Sequence, residues 1–110
     1  MRQSFSLLKS GRNCGLSFLI FLLLGCVTFP PPVEEYILAR AAIDAAKSVE
    51  AFRYSPGNWH QAEGSYRRAQ ALYEEREFES SKQEFVKART AAERAENSAR
   101  LVRQKNGEVL

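Results

Sequence analysis

The hydrophobic and polar residues divide this chain into a short apolar run near the amino terminus and a longer amphipathic part after it. Residues 16–24 are apolar except for one serine, and polar residues with scattered positive charge precede them. Even the wider apolar stretch 14–29 falls short of the roughly 20 residues that a membrane-spanning helix needs. A short run of this kind is typical of a cleaved export signal.

Beyond Val33, apolar residues recur every three or four positions, which is the spacing of one face of an α-helix. The spacing predicts three helical segments, at about 33–53, 55–73 and 78–104. The stripe of the first segment is Leu38, Ala42, Ala45, Val49 and Phe52. The stripe of the second is Trp59, Ala62, Tyr66, Ala69 and Tyr73. The stripe of the third is Phe78, Ser81, Phe85, Ala88, Ala92, Ala95, Ala99 and Val102.

Short connections between these segments predict an all-α fold, an up-down-up antiparallel three-helix bundle that follows the signal peptide. Ser55-Pro56 is a favourable start for the second helix, with a capping residue followed by proline at the first helical position. No sustained alternation of apolar and polar residues predicts a strand. The expected domains are a signal peptide (1–25), a Pro-rich tether (26–32), a helical domain (33–105) and a flexible tail (106–110). The consecutive prolines of the tether favour a polyproline II spacer.

The apolar run ends in Leu23-Leu24-Gly25-Cys26. This sequence resembles the bacterial lipobox, which implies cleavage between Gly25 and Cys26 and lipidation of the Cys26 thiol. Several acyl chains, palmitate among them, anchor a protein stably, where one chain is marginal. Val27 stands at the position where enterobacterial-type sorting would use aspartate for retention, so the resemblance implies an outer-membrane lipoprotein that faces the periplasm. An uncleaved amino-terminal anchor is the alternative.

Charge and cysteine usage change the interpretation of the overall composition. The formal charge of the whole chain is +3. Arg2, Lys9 and Arg12 precede the apolar run, so residues 26–110 contain 13 basic and 13 acidic side chains. This balance argues against nucleic acid as a partner. The only cysteines are Cys14, within the expected signal peptide, and Cys26, the expected lipidation site, so a lipidated mature chain keeps no thiol for a structural zinc site. We therefore expect neither a metal nor a cofactor.

The helical part holds few candidates for a catalytic or metal-binding site. His60 is the only histidine, and an exposed first-turn residue is the simpler interpretation. An acidic cluster lies around the connection between the second and third segments, but it lacks the spacing and glycine of a calcium loop. Its members are Glu74, Glu75, Glu77 and Glu79. No nucleophile elbow or phosphate loop occurs. We therefore expect a protein that is not an enzyme.

The stretch 66–95 (YRRAQALYEEREFESSKQEFVKARTAAERA) resembles a tetratricopeptide-type helical hairpin. Ala69 would be the small residue of its first helix, and 76–78 would form its turn. Ser81, Phe85 and Ala88 would hold the second-helix positions. More broadly, residues 39–99 resemble a family of uncharacterised short bacterial lipoproteins with an alanine-rich helical domain. One repeat cannot form the concave peptide-binding groove of a solenoid, which needs at least three.

These observations favour a non-enzymatic, lipid-anchored envelope protein that acts as a helical scaffold or protein-interaction module. The acidic connection should lie at the tethered end, facing the membrane. The third segment should extend beyond the second by roughly 10 Å at the far end. There, Ala95, Ala99, Leu101 and Val102 are the expected contacts with an envelope protein or a second copy. A self-associating coiled-coil spacer is the alternative function.

Overall fold

The computed structural model describes residues 28–108 together with Gly15. Residues 28–108 form four helices and no strand, so the all-helical expectation is confirmed. The helices are α1 (Val33–Ser48), α2 (Ala51–Tyr54), α3 (Pro56–Glu74) and α4 (Phe78–Lys105). No helix in the described part of the chain is both long and apolar enough to cross a membrane.

Helices α3 and α4 form a hairpin around the tight turn predicted from the sequence. Arg76 adopts the left-handed conformation with φ 62°. Its amide donates to the Tyr73 carbonyl at 3.1 Å, and the Glu77 amide donates to the Leu72 carbonyl at 2.9 Å. These two bonds define a Schellman motif, which satisfies the last carbonyls of α3. Across the hairpin, the buried Ser81 hydroxyl donates to the Ala69 carbonyl at 2.8 Å, which draws the helices together.

The first predicted segment is not one helix, which corrects the expectation of a continuous helix over residues 33–53. Helix α1 stops before Glu50, which has φ 57° and lies in the left-handed region. The Glu50 amide turns back to the Lys47 carbonyl at 2.9 Å, and α2 begins at once with Ala51. A left-handed residue cannot continue a right-handed helix, so the chain changes direction here.

Helices α1 and α4 run in the same direction, as contacts at both ends show. Near the start of both helices, Lys82 forms an ion pair with Glu35 at 3.1 Å. Near the end of both, an Arg103 guanidinium nitrogen donates to the Val49 carbonyl at 3.4 Å. Helices α1 and α3 each pack extensively against α4 but make few contacts with each other. Helix α4 is therefore the central element of the fold.

Alanine dominates the interior, as the stripes of α3 and α4 predict. One core cluster contains Ile43, Ala46, Val49, Ala51, Trp59, Ala62, Ala91, Ala92, Ala95 and Ala99. The other contains Ala39, Ala69, Phe85 and Ala88. The stripe predicted for the first segment is wrong at Leu38 and Phe52, which are exposed, and right at Val49, which is buried. Over the turns between Leu38 and Val49, the buried residues Ala39, Ile43 and Ala46 each lie one position after the predicted one. Small residues on facing helices permit the close approach that buries these alanines completely.

Residues 106–108 differ from the expected flexible tail. Gly107 has φ 72°, and the Glu108 amide donates to the Arg103 carbonyl at 2.9 Å in a second Schellman motif. This turn brings the Glu108 carboxylate within 2.7 Å of the Tyr54 hydroxyl, which donates to it. The hydrogen bond to Glu108 stabilises the protonated phenol of Tyr54 and so raises its pKa. The end of α4 is thereby joined to α2.

Candidate functional site

Cys26 and Gly25, the predicted lipidation and cleavage residues, lie outside the described residues, so these assignments remain predictions. The described chain resumes at Thr28, close to the amino end of α1. Residues 29–32 lie against the first turns of α4, where they line a groove of about 570 Å³ with Phe78, Lys82 and Val86 among others.

Pro32 ends the tether with a turn, which corrects the polyproline II expectation at this residue. Its φ of −80° and ψ of 65° are those of an inverse γ-turn. The Val33 amide completes the turn by donating to the Pro31 carbonyl at 2.9 Å. Pro32 is also buried. The end of the tether is therefore part of the folded domain.

The acidic cluster at the α3–α4 connection is fully solvated. Its four glutamates, Glu74, Glu75, Glu77 and Glu79, are all exposed. Across the described residues, no three histidine, cysteine, aspartate or glutamate side chains gather where they could hold a metal ion. The His60 side chain is exposed.

The expected partner-contact residues separate into two groups. Ala95 and Ala99 have no exposed surface, because they pack against α1, α2 and α3. That part of the expected contact surface is therefore wrong. Leu101 is 61% exposed and Val102 is also exposed. Contact with a partner through these two residues remains a prediction.

Three aromatic rings meet where α1, α3 and α4 approach at the tether end. The Tyr36 ring is stacked on Tyr66 with 6.3 Å between centroids, and it meets Phe85 edge-on at 5.5 Å. Tyr66 meets Phe85 edge-on at 5.7 Å. These geometries are the favourable ones for aromatic pairs. Because α1 and α3 separate beyond this cluster, an open pocket of about 340 Å³ remains at its outer side.

We call this cavity the tyrosine pocket. It is lined by Val33, Tyr36, Gln70, Tyr73, Glu74 and Phe85. Tyr73 is itself supported by an edge-on contact with Phe78, with 5.4 Å between centroids. The lining combines apolar rings with one carboxylate and one amide, which is the composition of a site for a mainly apolar group with a polar end.

The hydroxyls of the two tyrosines in the cluster differ in environment. Arg40 donates to the Tyr36 hydroxyl at 3.2 Å. This hydrogen bond lowers the pKa of Tyr36, and the interaction with Tyr66 and the positive charge of Arg40 add to the decrease. Desolvation by burial raises the pKa of Tyr66, and its interaction with Tyr36 adds to the increase. Because these phenols titrate near pH 10 in their ordinary range, they are neutral hydrogen-bonding groups near pH 7.

Ion pairs fix the helices on both sides of this region. The Glu84 carboxylate accepts from Lys87 at 2.7 Å and from Arg68 at 3.2 Å, linking α4 to α3. These bonds, led by that of Lys87, lower the pKa of Glu84. The pKa of Glu35 is also lowered, first by its own backbone amide and then by Lys82. Ion pairs between charged side chains therefore surround the aromatic cluster on the protein surface.

Tyr36 is the main residue that the sequence pattern missed. A second set of positions in α1, Tyr36, Ala39, Ile43 and Ala46, has the same alternating spacing as the predicted stripe. Periodicity alone does not choose between two adjacent stripes of equal spacing. The larger side chains at Tyr36 and Ile43 were the available signal, because large residues fill the gaps between alanines on the facing helices.

The fold and the pocket define a small all-helical domain organised around one long helix. Residues 34–108 match the family described as Domain of unknown function (DUF4398), and the chain belongs to that family. Searches of curated proteins and of solved structures found no match.

Proposed function

We propose that this chain is a non-enzymatic, lipid-anchored protein of the bacterial cell envelope, in which the helical domain serves as a scaffold or protein-interaction module. The observation that carries the proposal is Leu23-Leu24-Gly25-Cys26 after a short apolar run. Only six residues separate Cys26 from the first residue of α1. An anchor on Cys26 would therefore hold the domain close to the bilayer.

The finer fold assignment is also a proposal: α1, α3 and α4 form an up-down-up bundle, with α3–α4 as a tetratricopeptide-like hairpin. The supporting features are the tight turn at Arg76 and the buried Ser81, Phe85 and Ala88 at the second-helix positions. In this arrangement the acidic connection and the tether share one end, which would face the membrane. The last turns of α4 would project into the periplasm.

Mass spectrometry of the protein expressed in a bacterial host tests the anchor. The wild-type protein should begin at Cys26 and carry the added mass of a diacylglyceryl group and a further acyl chain. Cys26→Ser should leave the chain uncleaved and unacylated, because only a thiol forms the thioether. Cys14→Ser is the matched control and should behave as wild type. An uncleaved, unmodified wild-type chain would contradict the proposal and favour the uncleaved anchor.

The choice of membrane has its own test. In an enterobacterial host, the wild-type lipoprotein should fractionate with the outer membrane. Val27→Asp should shift it to the inner membrane, because aspartate at this position is the retention signal of that sorting system. Recovery of the wild-type protein with the inner membrane would refute the outer-membrane assignment and leave the anchor itself intact.

Self-association as a spacer is the second candidate function, and the exposed Leu101 and Val102 favour it at the distal end of α4. The buried part of the α4 stripe, from Ser81 to Ala99, would not be its contact surface, since the other helices already cover it. Sedimentation of the full chain in detergent tests it. An oligomer that dissociates in Leu101→Glu, with Lys105→Glu as the exposed control, would support the spacer. A monomeric wild-type protein would exclude it.

A further inference from the structure

The tyrosine pocket has a charge character that its aromatic lining alone would not give. Among the residues that the structure describes, Glu74 is the one carboxylate of the lining, and no lysine or arginine lines the pocket. Glu74 is also the last residue of α3, where the helix dipole adds partial negative charge. Glu75 and Glu77 follow it as exposed carboxylates. Although the exposed Arg76 lies between Glu75 and Glu77, these three carboxylates leave a net negative charge in the chain segment that ends α3 beside the pocket.

Two basic residues near the pocket are already engaged, and the exposed Arg76 lies between Glu75 and Glu77 in the sequence without lining the cavity. Arg40 is bonded to the Tyr36 hydroxyl, and Lys82 is paired with Glu35 at 3.1 Å. Neither lines the cavity. An anion in the pocket would meet the Glu74 carboxylate without a compensating cation. A cation would meet Glu74 and the faces or edges of Tyr36, Tyr73 and Phe85.

The size and shape of the pocket fit a side chain and not a folded surface. Its volume of about 340 Å³ lies at the lower end of the range for small-ligand sites. The pocket is open to solvent on one side, since α1 and α3 touch each other little. An extended segment of another protein can therefore place one long side chain into it.

We propose that the tyrosine pocket binds a lysine or arginine side chain of a partner protein. The alkyl stem would lie against the aromatic rings, and the charged end would pair with Glu74. Cation–π attraction and a carboxylate together favour a cation over a neutral group of the same shape. The proposal rests on the domain acting as a protein-interaction module, and it does not depend on lipidation of Cys26.

Nuclear magnetic resonance of the ¹⁵N-labelled full chain in zwitterionic nanodiscs tests this pocket. The probes are acetyl-Gly-Lys-Gly-amide, the same peptide with arginine, and the neutral peptide with norleucine. We expect the basic peptides to shift the amide signals of Gln70, Tyr73 and Glu74, and to leave Ala99 unchanged. The norleucine peptide should bind at least about five-fold more weakly, the ratio expected from roughly 1 kcal/mol of lost cation interaction.

Two variants assign the selectivity to the pocket. Glu74→Gln should weaken the lysine peptide about five-fold while changing the norleucine peptide little. Glu75→Gln is the matched control, since it removes the same charge from the adjacent exposed position. An equal loss of affinity for the lysine peptide in both variants would show that the overall negative charge of this region causes the binding, and would overturn the proposal. So would equal binding of the lysine and norleucine peptides, or binding of the nanodisc lipid in place of the basic peptides. Native amide spectra of the variants would verify their folding.

Discussion

At the scale of single residues, Phe85 is the largest described side chain that the alanine-rich interior encloses completely. Its side chain is 1% exposed, and its ring contacts both Tyr36 and Tyr66 edge-on. The alanine side chains around Phe85 are too small to fill the space that its ring occupies. The aromatic cluster and the tyrosine pocket therefore depend on this one ring.

Phe85→Ala should lower the free energy of unfolding by about 3–5 kcal/mol, the cost of removing a buried phenylalanine and leaving a cavity. Val86→Ala is the adjacent control, because Val86 is 47% exposed, and it should change stability by less than about 0.5 kcal/mol. Urea denaturation followed by far-ultraviolet circular dichroism measures both. Equal stability of the two variants would contradict the assignment of Phe85 to the core.

Predictability from sequence differs from residue to residue within this core. Phe85, Ala88 and Ala92 were identified because a single stripe of α4 satisfies the helical spacing over its whole length. Leu38 was misplaced, because two adjacent stripes of α1 satisfy the same spacing. The choice between them depends on which face meets α4, and that contact is tertiary information absent from local periodicity.

At the scale of elements, two helix ends are formed by left-handed residues that are not glycine. Glu50 ends α1 and Arg76 follows α3, with φ values of 57° and 62°. The α3–α4 turn was predictable, since polar residues separate two strong stripes. The break at Glu50 was not, because no glycine or proline marks it and the helical composition continues across it.

Arg76→Gly should raise the free energy of unfolding by about 1 kcal/mol. Glycine adopts the left-handed conformation without the steric cost of a β-carbon, which outweighs its greater freedom in the unfolded chain. Gly107→Ala makes the opposite change at a residue with φ 72°, so it should destabilise the protein. Thermal unfolding should show a higher melting temperature for Arg76→Gly and a lower one for Gly107→Ala. A loss of stability in Arg76→Gly would show that the arginine side chain stabilises the turn in another way.

Arg103 joins the end of α1 to the end of α4. Its guanidinium reaches the Val49 carbonyl and lies 3.3 Å from the Glu108 carboxylate. It also lies over the Tyr54 ring, 5.5 Å from the centroid. Three separate segments therefore meet at one side chain.

Arg103→Leu should keep much of the packing but lose these polar contacts, at a cost of about 1 kcal/mol. Hydrogen exchange gives the more specific measurement. The amides of Tyr54 and Ser55 in and after α2 should exchange faster, while those in the middle of α3 should be little affected. Lys105→Leu is the exposed control. Unchanged exchange at α2 in Arg103→Leu would refute the joining role of Arg103.

At the scale of the whole molecule, the hydrogen bonds and ion pairs of two glutamates make stability depend on pH. The folded pKa values of Glu35 and Glu84 are lowered from the ordinary value of 4.5. Each carboxylate therefore stabilises the folded state when it is ionised, above the unfolded pKa. That contribution is lost as the pH falls through the folded pKa.

Glu84→Gln should destabilise the protein at pH 7 and have little effect at a pH well below the ordinary range of glutamate, where Glu84 is protonated in both states. Urea denaturation at the two pH values measures the difference. Glu79→Gln is the control on the same helix, since Glu79 is exposed. A stability difference between wild type and Glu84→Gln that is the same at both pH values would show that charge is not the cause.

The length of α4, with α1 running parallel to it, determines how far apart the two ends of the domain lie. Helix α4 has 28 residues, so at 1.5 Å per residue it is about 42 Å long. The tether and the tyrosine pocket lie at its beginning, and Leu101 and Glu108 lie at its end. A contact made at one end and a contact made at the other would be held apart by a nearly fixed distance of about 4 nm. Adding or deleting two whole turns in the hairpin and in α1 together would change that distance by roughly a quarter, without changing the surface at either end.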